Sequence, residues 1–306
     1  KGNWGTNGYF VRDKDGNGIV YAIDPQQPII APEFETAVFT KGNENLTSLR
    51  FLDKTILPED SYKYFADNTS LKTFDTKNLD TSNVTSMNSM FSNMSSLTSL
   101  DVSNFDTSNV TDMTLMFADM YKLTSLDVSN FDTSKVTNMN AMFSDMEALT
   151  SLDVSNFDTS KVKYMSAMFN NVRSLTALDV SNFDTSEVIH MDYMFSLMTS
   201  LTSLDMSNFN TSKVTNMSYM FYGMQSLTSL NVSKFDTSNV TNMQGMFKDL
   251  SALTTLDVSN FNTSKVKYMR GMFDGINIPS LDISNFDMSK VDDMNPHFYD
   301  KYRRKV

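Results

Sequence analysis

The sequence predicts an α/β fold: a leucine-rich-repeat-like solenoid of about ten 26-residue coils, each a strand, a loop and a short helix, with an N-terminal β cap. Three observations predict it. Phenylalanine recurs every 26 residues, the word LDVSNFDTS recurs almost unchanged, and both ends of the chain depart from these patterns. A fixed period between about 20 and 50 residues is the signature of stacked repeats, because a single coil cannot bury its own apolar faces.

The period is clearest in one phenylalanine column. It contains Phe65, Phe91, Phe117, Phe143, Phe169, Phe195, Phe221, Phe247 and Phe273, and Phe298 follows after one deletion. Most of the 24 methionines fall in similar columns, in the second half of each repeat. Methionine fills irregular gaps in cores, so we interpret these columns as packing rather than as a metal site or a binding groove.

Two periodicities follow each other in the repeat that begins at Leu97. From Leu97 to Phe105 apolar and polar residues alternate, which predicts a half-buried strand. Beyond it, apolar residues recur every three or four positions, which predicts a short helix, partly 3₁₀. These residues are Val110, Met113, Met116, Phe117 and Met120. Between the two segments, Asp106-Thr107-Ser108 offers side-chain oxygens that predict a helix cap.

The chain divides into four predicted parts. They are an N-terminal β-hairpin cap at 1–40, a degenerate capping repeat at 41–73, regular repeats at 74–298 and a C-terminal tail at 299–306. The hairpin is predicted by Tyr9-Phe10-Val11 and Ile19-Val20-Tyr21, which flank Asp-Gly and Asn-Gly pairs typical of hairpin turns.

Composition excludes several classes of function. The formal net charge of −11 would repel a phosphate backbone, so we expect no nucleic-acid partner. The absence of cysteine excludes thiol catalysis, disulfides and cysteine-based zinc sites. No run of 18 apolar residues is present, so we expect no membrane insertion. No catalytic or cofactor-binding motif is recognisable either, so we expect a protein that is not an enzyme and holds no cofactor.

The repeat resembles that of the BspA-like leucine-rich repeat surface proteins of bacteria. The shared unit, L-x-x-L-D-V-S-N-F-D-T-S-x-V-x-x-M-x-x-M-F-x-x-M, covers about residues 46–298, and its second half also resembles the treponemal class of leucine-rich repeats. Trp4-Gly5 with the following Asp-x-Asp-Gly turn resembles the segment that often precedes such repeats. Met94, Met120 and Met146 depart from the pattern, because many relatives have Cys there.

The resemblance implies a cell-surface or secreted protein of a Gram-positive or related bacterium, used in adhesion or protein binding. We therefore expect an extracellular binding module, an adhesin ectodomain that engages protein or glycan on host or neighbouring cells. The alternative is a passive repeat stalk that spaces another domain from the cell surface. A uniform strand face favours the stalk, whereas a variable, tyrosine-rich side favours the adhesin; the oligomeric state is left open.

An aspartate column along the predicted strands is the first candidate for partner binding. Its members are Asp101, Asp127, Asp153, Asp179, Asp205, Asp257 and Asp282, with Asn231 in one coil. Stacked strands lie about 4.8 Å apart, so like charges are crowded, and crowding predicts raised carboxyl pKa values and a protein stabilised by mild acid. The competing interpretation is that hydrogen bonds satisfy the carboxylates, since Asn replaces Asp without a charge.

A calcium loop is a second candidate. Asp13, Asp15, Asn17 and Asp24 match the spacing of an EF-hand loop, with Asp24 at the twelfth position. The flanking segments, however, predict strands rather than helices, so we favour a hairpin turn and assign no metal.

Tyrosines on the variable side are the third candidate, because aromatic side chains are favoured anchors at interfaces. They are Tyr121, Tyr164, Tyr193, Tyr219, Tyr222 and Tyr268. A bland interpretation competes with this one, because exposed positions also vary without any function.

Overall fold

The structure, a computed structural model, describes residues 1–33 and 45–293. The chain divides into two compact units, Lys1–Asn138 with Met142–Phe157, and Met139–Ala141 with Asp158–Val306. The described strands all lie in the first unit. They are β1 (Gly2–Trp4), β2 (Gly8–Arg12), β3 (Asn17–Ala22), β4 (Ile29–Ile30), β5 (Ser48–Phe51), β6 (Thr55–Ile56), β7 (Thr73–Asp75) and β8 (Leu79–Asp80).

The strands of the first unit form two sheets. One has the order β1-β2-β3-β5-β7 and the other β4-β6-β8. The predicted hairpin is present: β2 and β3 pair antiparallel from Gly8–Ala22 to Arg12–Gly18. All later pairings are parallel, since each coil adds one strand to each sheet. The predicted boundary between 40 and 41, Phe298 and the tail at 299–306 lie outside the described residues.

The predicted core is confirmed. In the repeat that begins at Leu97, each apolar position named above is buried, and the methionine columns are solvent-inaccessible packing residues. The rings of the phenylalanine column stack nearly parallel, with centroids 5.7 Å apart between Phe91 and Phe117 in the first unit. In the second unit Phe169 and Phe195 stack at 5.9 Å.

The predicted short helix is wrong, because no described residue is helical. Leu115 and Asp119 have φ values of +55° and +62°, in the left-handed region that an α-helix of L-residues does not use. Right-handed and left-handed residues instead produce tight turns, in which the N–H groups of Met116 and Ala118 donate to Met113 and Leu115 three residues back. This arrangement also places apolar residues three and four apart on one side, which is why the spacing resembled a helix.

Other N–H groups of this segment bond to the next coil. Met113 donates to the carbonyl of Asn138 and Phe117 donates to that of Met142, each at 3.0 Å. Each bond spans 25 residues, so neighbouring coils are held in a fixed register. In the second unit the same bond joins Phe169 to Met194, Phe195 to Met220, Phe221 to Met246 and Phe247 to Met272.

Two left-handed residues, four positions apart, recur in the coils. The second of each pair is mostly Asp, Asn or Gly, the residues that tolerate positive φ best. This column contains Asp67, Asn93, Asp119, Asp145, Asn171, Leu197, Gly223, Asp249 and Gly275. The Asp, Asn and Gly residues of this column are the sequence signal that distinguishes these stacked tight turns, which we call the turn stack, from a helix. This signal was not used in the prediction from sequence.

The predicted strand from Leu97 to Phe105 is also wrong for the regular repeats. In the described regular repeats this segment forms only an isolated parallel bridge, between Ser125 and Ser151, and in the repeat that begins at Leu97 it ends in a turn where the N–H of Phe105 donates to Val102. The cause is local, because the Asp101 carboxylate accepts the N–H of Ser103 and bends the chain. The strand is present only in the earlier, irregular coils, as β5 and β7.

The Asp-Thr-Ser segment does not cap a helix, contrary to the prediction. The buried Thr107 hydroxyl donates to the carbonyl of Asp132 in the next coil at 3.0 Å and accepts its N–H at 2.8 Å. The Asp106 carboxylate accepts the N–H of Ser108 at 3.0 Å. Threonine therefore links coils through its side chain where the sheets have ended.

The shortened last coil keeps the register with a side chain. In the preceding coil Met243 donates its N–H to the carbonyl of Tyr268. One coil later Met269 donates its N–H to Oδ1 of Asp293 at 2.8 Å, and Arg270 donates to Oδ2 of the same carboxylate. A carboxylate thus replaces the backbone acceptor at the end of the described repeats.

Replacing Phe169 with Ala should lower the free energy of unfolding by about 3–5 kcal/mol, because a fully buried, stacked ring leaves a cavity. Tyr268→Ala is the control, since that side chain is 46% exposed. Denaturant titration of both variants measures the difference. Equal losses would contradict the assignment of inside and outside.

Replacing Ala167 with Gly distinguishes the turn stack from a helix by the sign of its effect. Ala167 has φ +56°, and Gly245 and Gly271 occupy the same column in later coils. Relief of the left-handed strain should stabilise the protein by up to about 1 kcal/mol, whereas glycine in a helix costs about that amount. Ala252→Gly, outside the left-handed region, is the matched control and should be destabilising. A loss of stability in the Ala167→Gly variant would contradict the left-handed turn and support the predicted helix.

Candidate functional site

The aspartate column is an array of local turns on an exposed face. In each coil the Oδ1 atom accepts the backbone N–H of the serine two residues further on. The distance is 2.9 Å at Asp101, Asp127, Asp153, Asp179, Asp205, Asp257 and Asp282. Asn231 keeps the same bond with its amide oxygen, at 3.0 Å from Ser233. The side chain therefore serves as a hydrogen-bond acceptor that does not need a charge.

The carboxyl pKa values move in the direction opposite to that predicted from crowding. Hydrogen bonds from the side chain and the N–H of Ser103 lower the pKa of Asp101, and the repulsion from Asp127 is a smaller, opposing effect. The pKa is lowered for the same reason in Asp127, Asp179, Asp205, Asp257 and Asp282. Each carboxylate has a donor in direct contact, while its charged neighbours are separated from it by exposed, water-like surroundings.

The four residues of the calcium alternative do not come together. Both oxygens of Asp13 bond inside its own loop, Oδ1 to the N–H groups of Asp15 and Asn17 and Oδ2 to the Asn17 amide. Asp24 lies beyond the far end of β3, where its N–H donates to Asn7. Across the described residues, no group of three or more His, Asp or Glu side chains could hold a metal ion. The hairpin turn that the sequence analysis favoured is the structure present.

Three of the six candidate tyrosines form a cluster in the second unit. The rings of Tyr193 and Tyr219 stack with centroids 4.9 Å apart and planes 15° apart. Tyr222 meets Tyr219 edge to face at 5.7 Å, and Nζ of Lys248 lies 5.9 Å from the Tyr222 ring. We call Tyr193, Tyr219 and Tyr222 the tyrosine cluster.

The cluster interrupts columns of small residues. Tyr193 and Tyr219 stand in the first left-handed column, where Ala141, Ala167, Gly245 and Gly271 occupy the neighbouring coils of the same unit. Gly245 makes room for the stack, because a Cβ there would lie 2.3 Å from the Tyr219 ring. Tyr193 is 38% exposed, so the cluster presents aromatic surface to solvent.

The other candidate tyrosines are not part of the cluster. Tyr121 belongs to the first unit, where its hydroxyl donates to Asp119 at 2.8 Å, and that hydrogen bond, with burial, raises the pKa of Tyr121 to about 12. Tyr164 contacts His190 edge to face at 5.7 Å. Tyr268 is exposed in the column that also contains His190.

The first unit contains a groove that was not predicted from the sequence. It has a volume of about 540 Å³ and lies on the outward face of β3, β5 and β7, with Ile19, Arg50 and Asp75 among its lining residues. The sequence signal was the loss of the Ser-x-Asp-x-Ser pattern, since Arg50 is the counterpart of Asp75 in the strand register. For the coil that contains Arg50, the sequence predicts only a degenerate capping repeat.

Stability should stay nearly constant from pH 7 to pH 5 and should fall below about pH 4. A carboxyl whose folded pKa is lowered stabilises the fold above its unfolded pKa near 4, and this contribution is lost as the pH falls through the folded value. Thermal melting between pH 7 and 3, at low and high salt, measures the effect. The double variant Asp179→Asn and Asp205→Asn, which copies Asn231, should lose less stability in acid. A melting temperature that rises toward pH 5 would restore the crowding hypothesis.

The described part of the chain contains no helix with the length and hydrophobicity to cross a bilayer. No curated protein has a matching sequence. The chain is similar to the crystal structure of a leucine-rich repeat protein from Eubacterium ventriosum ATCC 27560, at 15% identity and a TM-score of 0.33, covering 92% of this chain and 96% of that one. It is also similar to a leucine-rich cell surface protein from Faecalibacterium prausnitzii A2-165, at 15% identity and a TM-score of 0.38, covering 95% and 97%.

A family model gives the most extensive match. The model described as "Mycoplasma protein of unknown function, DUF285" matches residues 59–152, 143–231 and 202–305. Because these matches cover well over half of the sequence, the chain belongs to the DUF285 family.

Proposed function

We propose that the protein is a bacterial cell-surface or secreted binding module that acts as an adhesin through the tyrosine cluster. The observation that carries the proposal is the stack of the exposed Tyr193 on the half-buried Tyr219, in a column that is otherwise Ala or Gly in its unit. The repeat word, which resembles the BspA-like surface proteins, supports a location outside the cell. The family description assigns no function, so the support for this proposal comes from the site.

The chemistry of the cluster suits binding better than catalysis. Burial raises the pKa of Tyr193, so its phenol stays protonated and can donate a hydrogen bond at neutral pH. Tyrosine combines this polar group with a large apolar ring that has few rotatable bonds, and therefore loses little entropy when it is immobilised. The partner we propose is protein or glycan on host or neighbouring cells.

A passive stalk is the second candidate function. The uniform Ser-x-Asp-x-Ser face favours it. Each aspartate makes the same hydrogen bond inside its own coil, so this face presents no feature that distinguishes one coil from the next. A stalk, however, gives no reason for three clustered tyrosines.

Replacing the tyrosine cluster should weaken binding strongly without unfolding the protein. The variant Tyr193→Ala, Tyr219→Ala and Tyr222→Ser copies residues found at the same positions in other coils: Ala167, Ala141 and Ser196. If the cluster is the energetic centre of the interface, removing it should weaken binding about 30-fold or more. Fluorescent chain added to epithelial cells and to neighbouring bacteria, read by flow cytometry, measures the affinity.

The matched control is Tyr121→Ala with Tyr268→Ala, two exposed tyrosines outside the cluster. Pretreating the cells with protease or with periodate separates a protein partner from a glycan. Unchanged binding of the cluster variant would contradict the site, and no binding of the unaltered chain to either cell type would favour the stalk.

A further inference from the structure

A second exposed surface lies on the first unit, beside a groove that reaches Ser99 at the start of the regular Ser-x-Asp-x-Ser pattern. Four outward-pointing alternate residues of β2 and β3 are apolar or aromatic: Tyr9, Val11, Ile19 and Tyr21. The rings of Tyr9 and Tyr21 lie 5.6 Å apart. On the neighbouring coil, Arg50 and Leu52 are exposed, and Leu52 is held beside β3 by its N–H bond to Val20. We call Tyr9, Tyr21, Arg50 and Leu52 the tyrosine–arginine face.

Several exposed apolar residues lie at this face. Tyr21 is 36% exposed, Leu52 50% and Ile23, at the end of β3, 59%. Apolar side chains grouped on one face, rather than scattered, mark interaction sites. Tyrosine and arginine are also the residues most enriched among the strong contacts of protein interfaces.

The acids that line the adjoining groove are already bonded within the protein. Asp13 uses both carboxylate oxygens in its own loop. Oδ1 of Asp75 accepts the N–H of Lys77, and Oδ2 lies 3.5 Å from the Lys77 ammonium. Oδ1 of Asn17 accepts the Ser48 hydroxyl at 2.8 Å. Each of these groups therefore already has a hydrogen-bond or ionic partner within the protein.

Arg50 differs from these acids because its charge is positive and has no ionic partner among the described residues. It lines the groove from β5 with Ile19 on one neighbouring strand and Asp75 on the other. Within residues 1–33 and 45–293, no carboxylate forms an ion pair with its guanidinium. A guanidinium offers five donors in a planar fork that matches a carboxylate, so the groove is complementary to an anionic group.

We propose that the tyrosine–arginine face binds an extended protein segment that carries a carboxylate side chain and a bulky apolar side chain two positions apart. In an extended chain such side chains point to the same side, about 6.6 Å from each other. Arg50 and Leu52 have the same spacing on the face, so the carboxylate meets the guanidinium while the apolar group lies against Leu52 and Tyr21. This surface is separate from the tyrosine cluster, and its ligand differs in chemistry.

The probe is the fluorescein-labelled peptide GSETFTSG, which holds Glu and Phe two positions apart. Fluorescence anisotropy against the full chain should show saturable binding below about 1 mM, the weak end of specific affinities. The matched peptides GSQTFTSG and GSETATSG should each bind about ten-fold more weakly or worse, because one loses the charge and the other the apolar anchor.

The variant Arg50→Gln tests the same contact from the protein side. It should weaken GSETFTSG about ten-fold but leave the weaker GSQTFTSG unchanged, as expected for one direct pair. Arg50→Lys should keep part of the affinity, and Arg270→Gln, an exposed arginine of the second unit, is the charge-matched control. Melting temperatures of all three variants check that the exposed substitutions leave the fold intact.

Four results would overturn the proposal. The first is no saturable binding of GSETFTSG, and the second is equal binding of the Glu and Gln peptides. A third is displacement of the peptide by an equal concentration of sodium glutamate, which would mean that a free acid suffices. The fourth is sedimentation of the chain as a dimer that Arg50→Gln dissociates, because the occupant would then be a second copy.

Discussion

The hydrogen bond that spans 25 residues is the constraint on which the other features depend. The N–H of Met113 reaches the carbonyl of Asn138, and the same step repeats in the coils of each unit. A bond of fixed span keeps coil length constant, and constant length turns every sequence position into a column in space. In the core columns, phenylalanine rings stack on phenylalanine rings, and the methionine columns are buried. Where one residue is deleted, the Asp293 side chain supplies the acceptor, so the chain changes the chemistry of the bond and keeps the register.

This bond joins backbone atoms of two different coils, so the residue pattern of one coil does not predict it. That limit explains which features could be predicted from the sequence and which could not. The period, the buried columns and the N-terminal hairpin follow from apolar spacing and turn residues, and they are confirmed. The helix was wrong because Met113, Met116 and Phe117 reach one side of the chain equally well in a helix and in alternating right- and left-handed turns. The Asp, Asn and Gly residues in the second left-handed column distinguish the turns from a helix. These residues favour a left-handed backbone conformation, and a search for apolar periodicity does not detect that preference.

In the aspartate column, a local hydrogen bond outweighs the repulsion between repeated charges. Two unit charges in water at about 4 Å repel each other by only about 1 kcal/mol, and salt weakens this further. The N–H of Ser103 is in direct contact with the Asp101 carboxylate, so hydrogen bonding decides the sign of the pKa shift. The hydroxyl and the backbone N–H of Ser103 both lower the pKa of Asp101. The backbone donor could not be predicted from residue types, because it is brought to the carboxylate by the turn.

Regular columns also explain where recognition can arise in a protein of this kind. A column with the same residue in every coil presents the same group every few ångströms, so a ligand can slide along it without a preferred position. Specific binding needs a break in a column, supported by rigid neighbours. The tyrosine cluster is one break, made possible because Gly245 leaves space for the Tyr219 ring. Arg50 is another, a cation at a position that its neighbour Asp75 fills with an acid. Both breaks stand on coils fixed by backbone bonds, so little conformational entropy is lost when a partner is bound.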